Sequence, residues 1–270
     1  MTYSCALWET PETGLTAAQN AKNQLVCDKL RIEPGMRVLD IGCGWGAMAI
    51  QAAHAGAEVV GVTLSAQQAS LARERAEAAG VGDRIDIRQQ DYREVADGPF
   101  DAISSIGMFE HVGRAKLAEY FRRCHDLLRP GGRMLNHGIT RRAEAPARLP
   151  IGMPTMPWHK RSFTNRYVFP DGELHPIGDV VTVMSQQGFE IRHLENLREH
   201  YALTLRAWVA NLQENWDEAV DQVGLERARV WRFYMASSAV GFDLGFIELH
   251  QVLGVRSDGG DAGFPLRPAY

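Results

Sequence analysis

Apolar residues recur at two different spacings along the first half of the chain. Short apolar runs that suit buried strands alternate with stretches in which apolar residues return every three or four positions, the spacing of a helix. Glycine and proline mark the boundaries, as at Pro34-Gly35. The pattern predicts helices over 15–31, 47–55, 66–79 and 116–128, and strands over 36–41, 58–64, 85–89, 100–106 and 133–139.

In the second half of the chain, the regular spacing of apolar residues first stops and then returns. Prolines interrupt any periodicity over residues 140–172, and a stretch of this length without regular structure is usually a lid or a binding segment. Regular patterns then return and end before a tail, 257–270, that is rich in glycine, aspartate and proline. They predict helices over 176–187, 202–215 and 225–240, and strands over 188–194 and 244–255.

Strands that alternate with helices predict an α/β fold: a doubly wound, Rossmann-like, mostly parallel sheet of seven strands with a lid insertion. We expect one domain over 1–256, with a cofactor-binding half (15–139), a lid or acyl-chain segment (140–175) and substrate-side helices and last strands (176–256). Ligands of such sheets bind outside the carboxyl ends of the strands. Chemistry is therefore expected after the first two strands and around the fourth and fifth.

Composition narrows the function classes. The 270 residues are 23% charged with a formal net charge of -4, so the chain lacks the overall basic character of nucleic-acid-binding proteins. The four cysteines form no CxxC pair, which argues against a metal site or a disulfide framework. The sequence has no signal-peptide pattern and no apolar run long enough to span a membrane. We expect a cytoplasmic protein with free thiols, and the oligomeric state stays open.

The turn after the first strand carries the first functional signal. Asp40 leads into Gly42-Cys43-Gly44-Trp45-Gly46, in which Gly42, Gly44 and Gly46 allow a tight turn and a close approach of the backbone to a ligand. Dinucleotide-binding enzymes use a similar turn with the longer GxGxxG spacing. The shorter spacing, together with a carboxylate at Asp40 that can face an ammonium group, favours S-adenosylmethionine. A purely structural turn is the alternative.

Polar residues after the second and third strands are candidate cofactor contacts. A dinucleotide enzyme has Asp or Glu at the end of the second strand, whereas this chain has Thr63-Leu64 followed by Gln68, whose side chain, like that of Thr63, can hydrogen-bond ribose hydroxyls. Asp91 can accept from an adenine amino group, and Tyr92 can stack on the ring. An ordinary polar loop is the alternative for Asp91 and Tyr92.

Six motifs spread along the chain are specific in combination. They are Tyr3-Ser4-Cys5, Asp40-Ile41-Gly42-Cys43-Gly44-Trp45-Gly46, Gly61-Val62-Thr63-Leu64-Ser65, Ser105-Ile106-Gly107-Met108-Phe109-Glu110-His111-Val112-Gly113, Phe169-Pro170-Asp171-Gly172-Glu173-Leu174 and His200-Tyr201-Ala202-Leu203-Thr204-Leu205. Over about residues 1–256 the chain resembles the cyclopropane-fatty-acid synthases, a family that includes the mycolic acid cyclopropane synthases and related fatty-acid methyltransferases. The resemblance implies a class I S-adenosylmethionine methyltransferase fold, with Ser105 and Ile106 as further cofactor contacts.

The resemblance also implies a reaction. Family members alkylate the double bond of an unsaturated acyl chain, and attack of the alkene on the sulfonium methyl group leaves a carbocation. Proton loss from the new methyl group closes a cyclopropane ring, whereas a prior hydride shift gives a methylene branch, which reduction converts to a methyl group. Both outcomes need a base and a water-free pocket. Candidate aromatic wall residues are Phe109, Trp158, Phe163, Tyr167, Tyr201, Trp208, Tyr234 and Phe242.

In the family, a bicarbonate ion held near the reacting carbon is thought to act as this base. The residues that hold it correspond to Cys5, Glu110, His137, Ile139 (through its backbone) and Tyr201. Taken singly, each has an ordinary structural explanation, such as a buried thiol or a core histidine. We therefore expect S-adenosylmethionine and bicarbonate as the cofactors.

Two departures from the family pattern bear on this expectation. Ser238 stands where many relatives have a cysteine. Relatives also have a further segment, which covers the cofactor, ahead of the position of Met1. Either the true start lies elsewhere, or the sequence is shortened, or the protein lacks part of its cofactor lid, and if the chain is complete we expect a more open cofactor site.

The predicted partner is an unsaturated phospholipid or fatty acyl chain. Residues 149–161 combine apolar residues with Trp158, Lys160 and Arg161, which suits either the anionic inner face of a membrane or a lid packed on its own domain. Two other functions remain open: an N- or O-methyltransferase of a small metabolite, and a cofactor-binding module without activity.

Overall fold

The computed structural model describes residues 1–143, 163–170, 172–268 and 270. The strands are β1 (Arg37–Ile41), β2 (Glu58–Thr63), β3 (Ile85–Gln89), β4 (Phe100–Ile106), β5 (Leu128–Arg141), β6 (Glu190–Asn196) and β7 (Ile247–Val255). The helices are α1 (Leu15–Leu30), α2 (Ala47–His54), α3 (Ala66–Ala78), α4 (Leu117–Leu127), α5 (Phe163–Tyr167), α6 (Ile177–Gln186), α7 (Arg198–Glu214), α8 (Trp216–Val223) and α9 (Leu225–Asp243).

The strands form one seven-stranded sheet in the order β3-β2-β1-β4-β5-β7-β6. The pairs from β3 to β5 are parallel, and β7 runs antiparallel to both β5 and β6. The predicted doubly wound, mostly parallel sheet is therefore confirmed. Strand order reverses between β1 and β4, which is where ligands bind in sheets of this type.

Helices cover both faces of the sheet, so the central strands are apolar on both sides. In β1, Leu39 packs with Ile103 in one buried cluster, while its neighbour Val38 packs with Ala102 in another. Alternate side chains point to opposite faces, which explains why the strands appear in the sequence as unbroken apolar runs. A third cluster joins Cys5 to α7, α9 and β7.

Some element boundaries differ from the sequence predictions. β5 begins at Leu128 rather than at residue 133, because the ladder tolerates an irregularity opposite β4 and Gly131 N–H donates to the Arg256 carbonyl. α7 begins at Arg198, four residues early, and the predicted irregular stretch 140–172 contains the end of β5 and the short helix α5. α8 was not predicted, since only Asn215 separates it from α7.

Two further observations bear on the sequence predictions. Among the described residues, no helix is long and apolar enough to cross a membrane. Residues 149–161, for which a lipid contact was predicted, lie outside the described residues, so that contact stays a prediction.

Candidate active site

One cavity of about 680 Å³ lies at the carboxyl ends of β1, β2 and β4. Its wall contains every residue predicted for the bicarbonate site, namely Cys5, Glu110, His137, Ile139 and Tyr201. It also contains most of the predicted cofactor contacts, namely Asp40, Gly42, Gly44, Thr63, Leu64, Gln68, Asp91, Tyr92 and Ile106. The fold therefore brings the two predicted sets of residues into a single space.

Backbone hydrogen bonds shape the glycine loop. The N–H groups of Gly42 and Cys43 both donate to the Val62 carbonyl oxygen, at 2.9 and 3.0 Å, and tie the loop to the end of β2. Gly44 has a φ of 53°, in the left-handed region that favours glycine. A Cβ atom added at Gly44 would meet only the Gly42 carbonyl oxygen, at 3.9 Å, so the space beside this residue is open to a ligand.

Two predicted cofactor contacts do not line the cavity. Gly46 precedes α2 with a φ of 79°, and a Cβ atom there would lie 3.1 Å from the Cβ of Ala72 in α3. Ser105 is buried and accepts a hydrogen bond from the Tyr120 hydroxyl at 2.6 Å. Both residues therefore make contacts within the protein. Gly46 lets α2 approach α3, and Ser105 accepts the hydrogen bond of the Tyr120 hydroxyl in α4.

Only one of the two carboxylate oxygens of Asp40 has a hydrogen-bond partner among the described residues. Asp40 pairs across the β1–β4 ladder with Ser104, whose hydroxyl donates to Asp40 Oδ1 at 2.5 Å, while Oδ2 is buried without a partner among the described residues. Burial raises the pKa of Asp40 to about 6, against the opposing effects of the Ser104 hydrogen bond and of Lys22. One carboxylate oxygen thus fixes the side chain, and the other is left for a ligand or a water molecule.

Thr63 and Gln68, two predicted cofactor contacts, are hydrogen-bonded to each other at the cavity wall. The Thr63 hydroxyl donates to Gln68 Oε1 at 2.7 Å, and the Ser65 hydroxyl caps α3 by accepting from the Gln68 N–H at 3.2 Å. The cap fixes the first turn of α3, so the Gln68 amide is held at the cavity wall. Leu64, between the two elements, is exposed and also faces the cavity.

Asp91 and Tyr92 occupy the loop after β3. Asp91 accepts from the Arg93 N–H at 2.9 Å and from the Arg93 guanidinium at 2.5 Å, and the Arg93 hydrogen bond lowers the pKa of Asp91. The Tyr92 ring packs edge-on against Tyr120 at 5.3 Å, which fixes its plane at the cavity wall. Asp91 is therefore an ionised group already shared with an arginine.

Glu110 is the central buried carboxyl group of the cavity. It lies in a short 3-10 turn, Phe109–His111, after β4, and its Oε1 accepts from the Ile139 N–H at 2.7 Å. Its Oε2 is buried and has no partner among the described residues. Burial raises the pKa of Glu110 to about 7, although the Ile139 hydrogen bond opposes the shift. The Ile139 N–H thus orients Glu110, and Oε2 can carry a proton near neutral pH.

Gly138 allows this hydrogen bond to form. A Cβ atom at Gly138 would lie 2.1 Å from Phe109 Cε1 and 3.0 Å from Glu110 Oε1. A distance of 2.1 Å is far inside van der Waals contact, so no other residue fits without displacing the turn that carries Glu110. This glycine is required by close approach rather than by its backbone conformation.

His137 is buried in β5, next to Gly138. The Gln251 side-chain amide lies 3.1 Å from His137 Nδ1, and Nε2 is buried without a partner among the described residues. Burial lowers the pKa of His137 well below its ordinary value, and the charges of Lys22 and Lys29 lower it further. The imidazole is therefore neutral at physiological pH.

The segment that carries Cys5 is fixed to α7. The Ala6 N–H and the Trp8 indole N–H both donate to the Thr204 hydroxyl at 3.0 Å, and the Trp8 backbone N–H donates to His200 Nδ1 at 3.0 Å. The Cys5 thiol is fully buried and donates to the Ala6 carbonyl oxygen at 3.2 Å, and burial raises its pKa, so it is neutral. These hydrogen bonds hold the segment of the Tyr-Ser-Cys motif against the His-Tyr-Ala-Leu-Thr motif of α7.

Aromatic side chains close the cavity around Tyr201. Burial raises the pKa of Tyr201 well above its ordinary value, and the neighbouring groups Tyr234, Tyr3, Cys5 and Glu110 raise it further. Tyr201 packs on Phe242 at 4.6 Å. Of the predicted wall residues, the lining includes Tyr201, Tyr234 and Phe242, but not Phe109, Phe163, Tyr167 or Trp208; Trp158 lies outside the described residues.

Sequence reasoning missed several residues of the cavity wall, of which Lys22 is the most informative. Lys22 is buried in α1, its ammonium donates to Asn23 Oδ1 at 2.6 Å, and burial lowers its pKa to about 8. The sequence did carry a signal: Gln19, Lys22 and Asn23 lie in phase with the apolar stripe Ala18, Val26 and Leu30 of α1. Phe169, which also lines the cavity, was noted only as part of a motif.

The sheet order, the antiparallel last strand and the glycine loop after β1 define the class I S-adenosylmethionine methyltransferase fold. Within this class, the chain belongs to the mycolic acid cyclopropane synthetase family, whose sequence profile matches residues 1–252. The resemblance predicted from the six motifs is therefore confirmed.

Individual relatives agree with this assignment. The chain is 47% identical over 269 residues to a probable fatty acid methyltransferase of Mycobacterium tuberculosis, covering 99% of this chain and 61% of that protein. It is 37% identical over 254 residues to the cyclopropane-fatty-acyl-phospholipid synthase of Escherichia coli K12, covering 94% of this chain and 62% of that protein. The chain thus spans about three fifths of the length of these curated relatives.

A solved structure matches over a larger share of its own length. The cyclopropane synthase MmaA2 from Mycobacterium tuberculosis superimposes with a TM-score of 0.85 at 34% sequence identity, covering 94% of this chain and 90% of that one.

Proposed function

We propose that this chain transfers one carbon from S-adenosylmethionine to the double bond of an unsaturated fatty acyl chain, most simply one carried by a phospholipid. The product is a cyclopropane ring or a methyl or methylene branch. The names of the relatives support the substrate class, since they include fatty acid methyltransferases and a cyclopropane-fatty-acyl-phospholipid synthase. They do not separate the two kinds of product.

One observation carries the proposal: besides Asp40 Oδ2, two more buried polar atoms without partners among the described residues belong to residues that line the cavity. These atoms are Glu110 Oε2 and His137 Nε2. An unpaired buried polar group costs about 1–3 kcal/mol, so proteins keep such groups where a ligand satisfies them. A methyltransferase that acts on an already nucleophilic nitrogen or oxygen does not need this second, buried site.

The donors around the second site suit a small oxyanion. Glu110, with a pKa raised to about 7, and the neutral His137 can each present a proton, and the Cys5 thiol in the same wall is neutral and adds no negative charge. Lys22, whose pKa of about 8 keeps it largely protonated at neutral pH, adds a positive charge nearby. These residues fit bicarbonate, which when bound would supply the base for the proton lost from the new methyl group.

The remaining residues prepare the two reactants. Asp40, Thr63 and Gln68 hold the polar parts of the cofactor, which supplies the electrophilic methyl group. Tyr201, Tyr234 and Phe242 give the acyl chain an apolar, water-excluding wall. Aromatic faces near a developing cation stabilise it by about 0.5–2 kcal/mol. Ser238 lines the cavity and is hydrogen-bonded to Tyr234, so the departure from the family cysteine lies at this wall.

Product analysis tests the proposal. The protein is incubated with methyl-labelled S-adenosylmethionine and vesicles of an oleoyl phospholipid, and the acyl chains are analysed by mass spectrometry. We expect the acyl chain to gain one CH2 group. Loss of the double bond indicates a ring, and retention of an alkene indicates a methylene branch.

Saturated phospholipid is the matched control, because it lacks the alkene and should gain no label. Cofactor binding without any labelled acyl chain would contradict the proposal, and labelled small amines or hydroxyl compounds would favour the N- or O-methyltransferase instead. Turnover that is unaffected by removal of dissolved bicarbonate would contradict the assignment of the anion alone.

A further inference from the structure

A row of polar side chains extends from His137 across the sheet to residues that do not line the cavity. Gln251 of β7 pairs directly with His137 across the β5–β7 ladder, and with Glu195 across the β6–β7 ladder. Residues paired across a ladder project on the same face, so the three side chains form one row. Lys29 of α1 packs against this row, and its ammonium contacts both Glu195 and Gln251.

The row fixes the orientation of the Gln251 amide. Lys29 Nζ lies 2.6 Å from Gln251 Oε1, and an ammonium group can only donate, so the atom that faces it must be the amide oxygen. The amide nitrogen then points the other way, towards His137 Nδ1 at 3.1 Å. An amide nitrogen can only donate, so Nδ1 must be the acceptor.

A neutral imidazole carries a single proton, and if Nδ1 accepts, the proton is on Nε2. Nε2 is the ring atom that is buried without a partner among the described residues at the cavity wall. We propose that Gln251, oriented by Lys29, is a positioning residue that locks His137 in the Nε2–H tautomer, so that His137 donates a hydrogen bond to an oxyanion in the cavity. This inference rests on the proposed function for the identity of the anion.

The locked tautomer matters because the two tautomers present opposite chemistry to the cavity. With the proton on Nδ1, a bare Nε2 lone pair would face an anion and repel it. With the proton on Nε2, the same ring attracts the anion without carrying a positive charge that the buried site would have to stabilise.

The first measurement is the tautomer of His137 in the ligand-free protein. Labelling histidine with 15N distinguishes protonated from unprotonated ring nitrogens by chemical shift, and the spectrum of His137→Gln identifies the signal. We expect the proton on Nε2. A proton on Nδ1 in the wild-type protein would overturn the inference, whatever the activity.

Gln251→Glu is the informative variant, because the side chain keeps its shape and its acceptor for Lys29 but its carboxylate cannot donate to Nδ1. We expect the proton to move to Nδ1, so the two 15N signals of His137 exchange character. The bicarbonate concentration for half-maximal turnover should rise about tenfold or more, as expected for loss of a hydrogen bond to a charged group, with S-adenosylmethionine affinity unchanged.

Two comparisons keep the test decisive. Gln186→Glu makes the same chemical change on the exposed end of α6 and should leave the His137 signals unchanged. Gln251→Met keeps the volume without polar atoms and should release His137 into a mixture of tautomers. If both Gln251 variants fold normally and leave the His137 signals as in the wild type, the inference is wrong. If the tautomer exchanges but wild-type turnover is independent of bicarbonate, the positioning role stands and the proposed anion is wrong.

Discussion

The two ends of the cavity are built differently. At the cofactor end, a few loops contribute consecutive residues, and polar side chains mostly have protein partners already, as in the pairs Thr63–Gln68 and Asp91–Arg93. At the reaction end, Cys5, Glu110, His137 and Tyr201 come from distant segments, and two buried polar atoms have no partner among the described residues. Under the proposed function, cofactor recognition thus depends on local backbone shape, whereas the chemistry depends on buried groups that only the complete fold brings together.

The largest expected difference between the two ends comes from Glu110→Gln. The amide keeps the shape but cannot exchange a proton, so turnover should fall by about 10³-fold, within the range for a group engaged in proton transfer. Binding of S-adenosylmethionine, measured by calorimetry, should stay within a few fold, because Glu110 belongs to the other end.

Glu173→Gln is the matched control for this variant. Glu173 donates its backbone N–H to the Glu110 carbonyl oxygen, but its carboxylate accepts from the Arg114 N–H and does not line the cavity. Its turnover should remain near that of the wild type. Equal turnover in Glu110→Gln and the wild type would contradict the assigned site.

A pH dependence of stability that is lost in Glu110→Gln should also identify Glu110 of the reaction end. The pKa of Glu110 is about 7 in the folded protein against an ordinary value of 4.5, because burial favours the neutral form. A raised carboxyl pKa contributes stability that is fully present below pH 4.5 and is lost as the pH rises through 7, on the order of 3 kcal/mol. Glu110→Gln does not titrate, so its unfolding free energy lacks this contribution.

Urea unfolding of both proteins at a series of pH values measures the effect. The unfolding free energy of the wild type minus that of Glu110→Gln should decrease between pH 4.5 and 7 and then level off. A difference that stays constant over this range would show that Glu110 titrates normally in the folded protein.

Gly44→Val is expected to have the smallest effect of the three, and it acts at the cofactor end. The new side chain meets little of the protein, since only one backbone oxygen lies within 4 Å of its Cβ position, but it enters space left for the ligand. S-adenosylmethionine affinity should fall by at least about tenfold. Gly80→Val has a similar positive φ and an open Cβ position outside the cavity, so it should lose comparable stability without losing affinity. Equal affinity in the two variants would contradict the assigned loop.

The same division explains what could be predicted from the sequence. Most residues predicted for the cofactor end line the cavity, because the glycine loop and the residues after β2 and β3 are contiguous and their strands show clear periodicity. The exceptions, Gly46 and Ser105, face α3 and α4, a direction that spacing alone does not encode. At the reaction end, the motif resemblance supplied the residues that periodicity could not connect. Lys22 and Gln251 went unpredicted because the burial of a lysine in α1 and the pairing of β7 with β5 appear only in the folded chain.

Gly138 limits how this chain can diverge. Since a single added carbon would overlap the Phe109 ring, every codon change that alters this residue disturbs the turn that carries Glu110. Gly14 and Gly178, by contrast, have no atom within 4 Å of the corresponding position, so a Cβ atom added at either residue meets no steric clash. Among the glycines of the described residues, Gly138 is the one at which an added Cβ atom would come nearest to another atom. Under the proposed function, we therefore expect new acyl-chain preferences to arise through substitutions elsewhere in the cavity wall, such as at Ser238.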